Sequence, residues 1–217
     1  MIYTFDETQP TELCEIMGRN KSDKGHINIT ASKHNFTTFY HNIFNTIKNN
    51  KLNIFELGLG TFYQDISSNM GPYGTPGASL YGWREYFKNA SIYGADIDKR
   101  ILFNSDRIQT FYCDQTEKDT IISMWNSPEL STITFDIILE DALHTFEANK
   151  CFFENSIHKL SKTGYYIIED IRIYEFHFFE KQIEIWGQEY PELLFTLFKV
   201  PSTVNVKDNN LLIIKYK

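Results

Sequence analysis

The chain of 217 residues sets 28 acidic against 21 basic side chains, for a formal net charge of -7, and is 42% hydrophobic. That is enough apolar material for one sizeable core, and the length favours a single domain over two. A net negative chain without a basic block would repel a phosphate backbone, which argues against long DNA or RNA as partner. Cys14, Cys113 and Cys151 are far apart and form no CxxC pair, as expected of a reduced intracellular protein rather than a disulfide framework or zinc site. The start, MIYTFDETQP, has no cationic leader, and no window reaches the ~18 apolar residues that span a bilayer. The expectation is a cytosolic protein with no membrane partner.

In chain order, a polar segment KSDKGHINITASKHN precedes one amphipathic helix over 36–48. Short apolar runs then alternate with longer mixed segments. LNIFEL (52–57), SIYGAD (91–96), RIQTFYC (107–113), FDIILE (135–140) and GYYIIED (164–170) read as strands buried on both faces of a parallel sheet. Between them 79–87, 116–125 and 145–160 read as helices, with Ser79 and Thr145 as N-caps and Glu147 in a first turn where negative charge suits the dipole. A helix over 175–187 is followed by LLFTLFKV and NNLLIIKYK, with turn residues VKDNNL before the last run, close enough to pair antiparallel. The pattern predicts a doubly wound α/β domain with a mostly parallel seven-stranded sheet and an antiparallel C-terminal pair.

Ligands of such sheets bind beyond the carboxyl ends of the strands. Glu56, Gly58 and Gly60 follow the first strand, and glycines there allow positive φ and close approach of backbone to a ligand. Asp96 ends the second strand, where a carboxylate can accept both ribose hydroxyls, and Asp114 and Gln115 end the third, placed for an adenine amino group. Together they predict an adenosine-bearing ligand. Nicotinamide chemistry of the short-chain type needs Tyr-x-x-x-Lys, which is absent, and GLGTFY (58–63) departs from the full pyrophosphate fingerprint. S-adenosylmethionine is the favoured cofactor.

The tips of strands four and five read LEDALH (139–144) and IIEDI (167–171). Adjacent strands lie about 4.8 Å apart, so Asp141, Glu169 and Asp170 can converge. Carboxylates that close repel unless a cation joins them, and Mg²⁺ suits a few carboxylates while keeping positions for water or substrate oxygens. His144, three residues after Asp141, can reach a substrate hydroxyl and act as base. Arg172, Tyr174 and His177 follow as weaker candidates for an acceptor pocket.

These motifs, in this order, resemble the metal-dependent sugar O-methyltransferases of the macrolide-tailoring type, within the Rossmann-like class I S-adenosylmethionine-dependent methyltransferases. The match begins at SDKG (22–25) and HNFTTFY (34–40) and continues through FELGLG, GASLYGW (77–83), IYGADID, RIQTFYCDQ, FDIILEDALH and GYYIIEDI. The resemblance implies that Asp141, Glu169 and Asp170 hold Mg²⁺, that His144 is the base, and that Lys24, Thr37 and Tyr40 in an N-terminal segment (1–50) help enclose the cofactor. It further implies a homo-oligomer and a small-molecule acceptor, a sugar or nucleotide-linked sugar of cell-surface glycan or secondary-metabolite tailoring. The family's Asp-Asp-Gly-Ser-His is Glu140-Asp141-Ala142-Leu143-His144 here, which alters the loop between ligand and base. The chain is shorter than members with an extra N-terminal domain, so loops and a neighbouring subunit are expected to complete the acceptor site. The stretch TFYQDISSNMGPYGTP (61–76) is longer than a tight turn needs, and loops beyond about 12–15 residues are usually functional or disordered; it is read as a lid.

Overall fold

The computed structural model describes residues 9–25, 34–202 and 205–217. Residues 1–8 and 26–33, which hold most of the N-terminal stretch and part of the polar segment read above, lie outside the described residues. The apolar runs form β1 (Asn53–Leu57), β2 (Ser91–Asp96), β3 (Asn104–Ser105), β4 (Ile108–Tyr112), β5 (Phe135–Glu140), β6 (Leu160–Ile168), β7 (Leu193–Lys199) and β8 (Asn210–Tyr216). They make one sheet in the order β3-β4-β2-β1-β5-β6-β8-β7.

The five predicted parallel strands are parallel, β8 pairs antiparallel with β6, and β7 closes the sheet antiparallel to β8. The eighth strand, β3, is a two-residue antiparallel addition to β4, too short for any periodicity to announce. Because β1 lies between β2 and β5, the strand order reverses beside it. The crevice of a doubly wound sheet opens at such a switch point, which puts it above Gly58.

The described helices are α1 (Glu12–Arg19), α2 (Phe36–Phe44), α3 (Ala78–Tyr86), α4 (Lys118–Trp125), α5 (Phe146–Ser156) and α6 (Phe176–Glu189). Apolar residues of α1 to α3, among them Leu13, Phe39 and Trp83, pack with one face of the sheet in one core cluster. Trp125, Phe152 and Trp186 of α4 to α6 pack with the other. Ile54, Phe55, Ile137 and Ile138 are accordingly buried between the two layers, as runs without polar alternation predict.

Several bounds differ from the sequence reading, among them α2, which ends at Phe44 rather than 48, and three differences go further. The eight-residue α1, capped by Thr11 accepting from the Cys14 amide at 3.3 Å, is not anticipated, since two turns give little periodic signal. The N-cap of α3 is Gly77, left-handed at φ 73°, rather than Ser79. Phe103 dictates this glycine, because a Cβ there would fall 2.5 Å from its ring. Finally, β6 starts at Leu160, after a 3-10 turn over Ile157–Lys159 ends the segment expected to be helical. No helix among the described residues is long and apolar enough to cross a membrane.

Candidate active site

A cleft of about 340 Å³ opens at the carboxyl ends of the parallel strands, within the size range of small-molecule sites. Gly58 and Gly60, at φ 95° and 77°, line it, but crowding by the chain itself also demands them. A Cβ on Gly58 would lie 1.8 Å from the Asp141 carbonyl oxygen, and one on Gly60 would lie 3.0 Å from Met70 Cγ. The first glycine therefore lets the loop after β5 close against the loop after β1.

Other predicted cofactor residues are already engaged by protein partners. Glu56 lines the cleft, and its oxygens accept from Ser79 Oγ at 2.6 Å and Trp83 Nε1 at 2.5 Å, which ties α3 to β1. Asp96 accepts from the amides of Leu59 at 2.7 Å and Asp98 at 2.8 Å. Asp114 accepts from the amide and hydroxyl of Thr116 at 2.9 and 2.7 Å. Gln115 donates to Glu140 at 2.5 Å and accepts from the Leu143 amide at 3.0 Å. All four still border the cleft, and carboxylate oxygens can accept further bonds.

Thr37 and Tyr40, which the resemblance places around the cofactor, stand behind the cleft wall because the aromatic face of α2 is drawn into the core. Thr37 Oγ1 lies 3.0 Å from Cys14 Sγ, and the Tyr40 hydroxyl donates to Glu169 Oε1 at 2.7 Å. Sequence reasoning passed over Asp98. Its oxygens accept from Thr61 Oγ1 at 2.6 Å and from Arg100 at 2.7 and 3.0 Å. Arg100 and Thr61 hold the Asp98 carboxyl down at about 2 against some opposing burial. The IYGADID motif contains Asp98, but nothing local marks it as the anchor of a loop 37 residues away.

The tips of β5 and β6 bring the expected acids together around an unexpected centre. The Lys24 ammonium, 2% exposed, donates to Asp141 Oδ2 and to Glu169 Oε2, the latter at 2.6 Å, with Glu56 Oε1 3.4 Å away. Asp141 Oδ1 sits 2.9 Å from His144 Nε2, and Asp170 Oδ2 is 3.7 Å from His144 Nδ1. The imidazole is thus held between two carboxylates at the cleft. His144 and Asp170 both adopt φ 55°, a left-handed conformation that few non-glycine residues take and that clusters at functional sites.

The electrostatics divide these acids. Burial pushes Asp141 up, but Lys24 and His144 outweigh it and hold the carboxyl well below the usual range. Burial likewise opposes the charge on His144, yet Asp170 and Asp141 raise it to about 9. Asp170 is lifted by burial to about 6 against the pull of His34 and His144. Burial drives Glu169 well upward despite Lys24.

Asp141, His144 and Asp170 each offer a ligand atom, and these lie within 4.8 Å of one another. Glu169 stands outside that trio, its oxygens turned to Lys24 and Tyr40. Three carboxylates (Glu56, Asp141 and Glu169) share one lysine here, and a fourth, Asp170, faces His34 and His144; its Oδ1 is buried without a hydrogen bond, although His34 Nδ1 is 3.2 Å away. Oxygen donors in excess of cationic charge fit a hard divalent ion such as Mg²⁺.

The long loop contributes Asp65, Ile66, Ser67, Ser68, Met70 and Thr75 to the cleft, while Tyr73 is 88% exposed. Arg172, Tyr174 and His177 do not line it.

An open sheet of this order, with an antiparallel C-terminal pair and acids at the β5 and β6 tips, is a Rossmann-like class I methyltransferase fold. The MycE methyltransferase of the mycinamycin pathway, solved with Mg and SAH, superposes with a TM-score of 0.69 over 96% of this chain and 55% of its own, at 19% identity. A second MycE complex that also contains mycinamycin VI gives the same values. No protein-family model matches the chain.

In sequence the chain resembles the macrolide-type sugar O-methyltransferases. It is 26% identical over 166 residues to the 8-demethyl-8-(2-methoxy-alpha-L-rhamnosyl)-tetracenomycin-C 3'-O-methyltransferase of Streptomyces olivaceus, covering 76% of this chain and 38% of that one. It is 27% identical over 141 residues to the demethylmacrocin O-methyltransferase of Streptomyces fradiae, covering 65% of this chain and 33% of that one. The matched region thus spans between a third and two fifths of these relatives' length.

Proposed function

We propose that this chain performs S-adenosylmethionine-dependent, Mg²⁺-assisted methyl transfer to a hydroxyl of a sugar or another small polar acceptor. The observation that carries the reading is His144, fixed in a left-handed conformation between Asp141 and Asp170 at the cleft. In this reading the turn at Gly58 and Gly60, with Glu56, Asp96, Asp114 and Gln115, receives the cofactor. Asp141, Glu169 and Asp170 hold Mg²⁺. The bound ion would polarise the acceptor hydroxyl and balance the carboxylate charge.

The charge of an ion held by Asp141 and Asp170 would offset the pull by which these acids raise His144 and would favour the neutral imidazole. In that form His144 accepts the hydroxyl proton as the acceptor oxygen forms its bond to the methyl carbon. The methyl–sulfur bond breaks with its electron pair left on sulfur, giving the uncharged thioether of S-adenosylhomocysteine. A positioned base of this kind typically contributes about 10²–10⁴ in rate.

The names of the sequence relatives and the Mg and SAH of the fold relative support this chemistry. We extend it to a carbohydrate of cell-surface glycan or secondary-metabolite tailoring, presented free or nucleotide-linked, in a cytosolic homo-oligomer with the 61–76 loop closing over the acceptor. The test is S-adenosylhomocysteine release across free and nucleotide-linked sugars, with and without EDTA. Metal-dependent turnover of a sugar is expected. Turnover of catechol alone, or cofactor binding without product from any acceptor, would overturn the acceptor assignment or the enzymatic reading respectively.

A further inference from the structure

One buried, permanently charged group has no part in the steps above. Lys24 places its ammonium on Asp141 Oδ2 and Glu169 Oε2, in a pocket where Lys24 and Glu169 are 2% and 1% exposed. A buried ammonium is tolerated only where carboxylates compensate it, and removing one partner of such a set is strongly destabilising. Asp141 and Glu169 are two of the three acids assigned to Mg²⁺, so a divalent ion and the lysine call on the same two oxygens.

We propose that Lys24 is a place-holding cation: its ammonium and Mg²⁺ compete for Asp141 Oδ2 and Glu169 Oε2, so metal entry displaces the lysine and metal loss brings it back. The inference rests on the metal assignment under the proposed function. Three features of the site support it.

First, each shared carboxylate has a second anchor. Asp141 Oδ1 faces His144 at 2.9 Å, and Glu169 Oε1 accepts from Tyr40 at 2.7 Å. Both carboxylates therefore stay aimed at the same point when the ammonium leaves. Second, Lys24 has a way out. It lies in a non-helical segment, and Lys21, Ser22 and Asp23 line the cleft beside it. A flexible four-carbon stem can carry the charge into the open part of the cleft. Third, two cations on one pair of oxygens in a poorly solvated pocket repel, because Coulomb energies grow as the local dielectric falls. Exchanging one charge for two also brings the four carboxylates nearer to neutrality.

The lysine would keep the acids preassembled while lowering apparent metal affinity by the fraction of molecules in which it sits on them. Two measurements on the full chain test the competition. Acetic anhydride labelling, read by mass spectrometry, should find Lys24 protected without metal. At saturating Mg²⁺ its labelling should rise about tenfold, and Lys24→Met should bind Mg²⁺ about tenfold tighter by calorimetry if the lysine occupies the site in about nine molecules of ten. The exposed Lys88 serves as the unchanged control.

Lys24 that stays protected at saturating Mg²⁺, or weaker Mg²⁺ binding by a folded Lys24→Met variant, overturns the competition and leaves the metal assignment standing. No Mg²⁺ binding by wild type or variant overturns both. If Lys24→Met does not fold, wild-type labelling decides alone.

Discussion

On the β2 side of the cleft, Asp96 and Asp98 have their charge answered by groups of the chain around them. Two backbone amides close on Asp96, while Arg100 and Thr61 close on Asp98. On the β5 and β6 side, Asp141, Glu169 and Asp170 share a single lysine and two histidines, and the backbone at His144 and Asp170 is left-handed. The first arrangement is static, since backbone amides hold the Asp96 carboxyl in place against the upward push of its burial, and Arg100 keeps Asp98 ionised. The second leaves negative charge in excess and holds its imidazole in an uncommon backbone geometry. Strain and imbalance of that kind persist where a site has chemistry to do.

Substitutions on the two sides should therefore fail in different ways. The largest effect is expected at His144→Ala, which should lower kcat by about 10²–10⁴ while leaving cofactor binding intact. Single-turnover assays would check this, and activity within a few-fold of wild type would remove His144 as base. Next, Asp141→Asn should weaken Mg²⁺ by about 100-fold, the upper end of what even outer-shell losses cost. Calorimetric titration of the ion is the measurement.

Gly58→Ala joins the two sides, since the new methyl would strike the Asp141 carbonyl. Strain at its positive φ alone should cost about 1–3 kcal/mol, read by urea denaturation, with Mg²⁺ affinity falling as the Asp141 loop shifts.

The smallest effect belongs to the static side. Asp98→Asn should cost about 1 kcal/mol near neutral pH, allowing for the half-exposed Arg100 partner. The Asp98 carboxyl titrates near 2 in the folded chain against an ordinary 3.8. Its stabilisation is therefore complete above the ordinary value and disappears as pH falls toward 2. The deficit of the variant should be constant from pH 7 to 5 and shrink below pH 4, while S-adenosylhomocysteine formation is little changed. A deficit that grew on acidification would contradict the arrangement at Asp98.

Much of the scaffold was legible because burial between two helical layers writes itself as unbroken apolar runs. LNIFEL, FDIILE and LLIIKY each fell on a strand, and Glu56 within the first run and Asp141 directly after the second fell at the cleft. What sequence could not assign was how each acid is used. Glu140 and Asp141 are neighbours, yet Glu140 turns inward to Gln115 and Tyr166, at 2.5 and 2.6 Å, while Asp141 meets Lys24 and His144. Likewise Glu169 faces Tyr40 and Asp170 faces the histidines. Successive side chains at a strand end point to opposite faces, so one residue of register separates the core acid Glu140 from the cleft acid Asp141.

The sequence by itself determined the alternation of strands and helices, the parallel sheet with its antiparallel close, and the acids and histidine gathered at the tips of β5 and β6. Those properties follow from local periodicity and from the rule that parallel strands present their carboxyl ends to one crevice. Only the tertiary structure decided that Lys24, 117 residues before Asp141, is the cation among those acids. It also decided that Gly58 is glycine to admit the Asp141 carbonyl, and that Ser79 and Trp83 bind Glu56. These are contacts between segments remote in the chain. Their partners are selected by where the packed core leaves a buried charge to be compensated, and no periodicity records that.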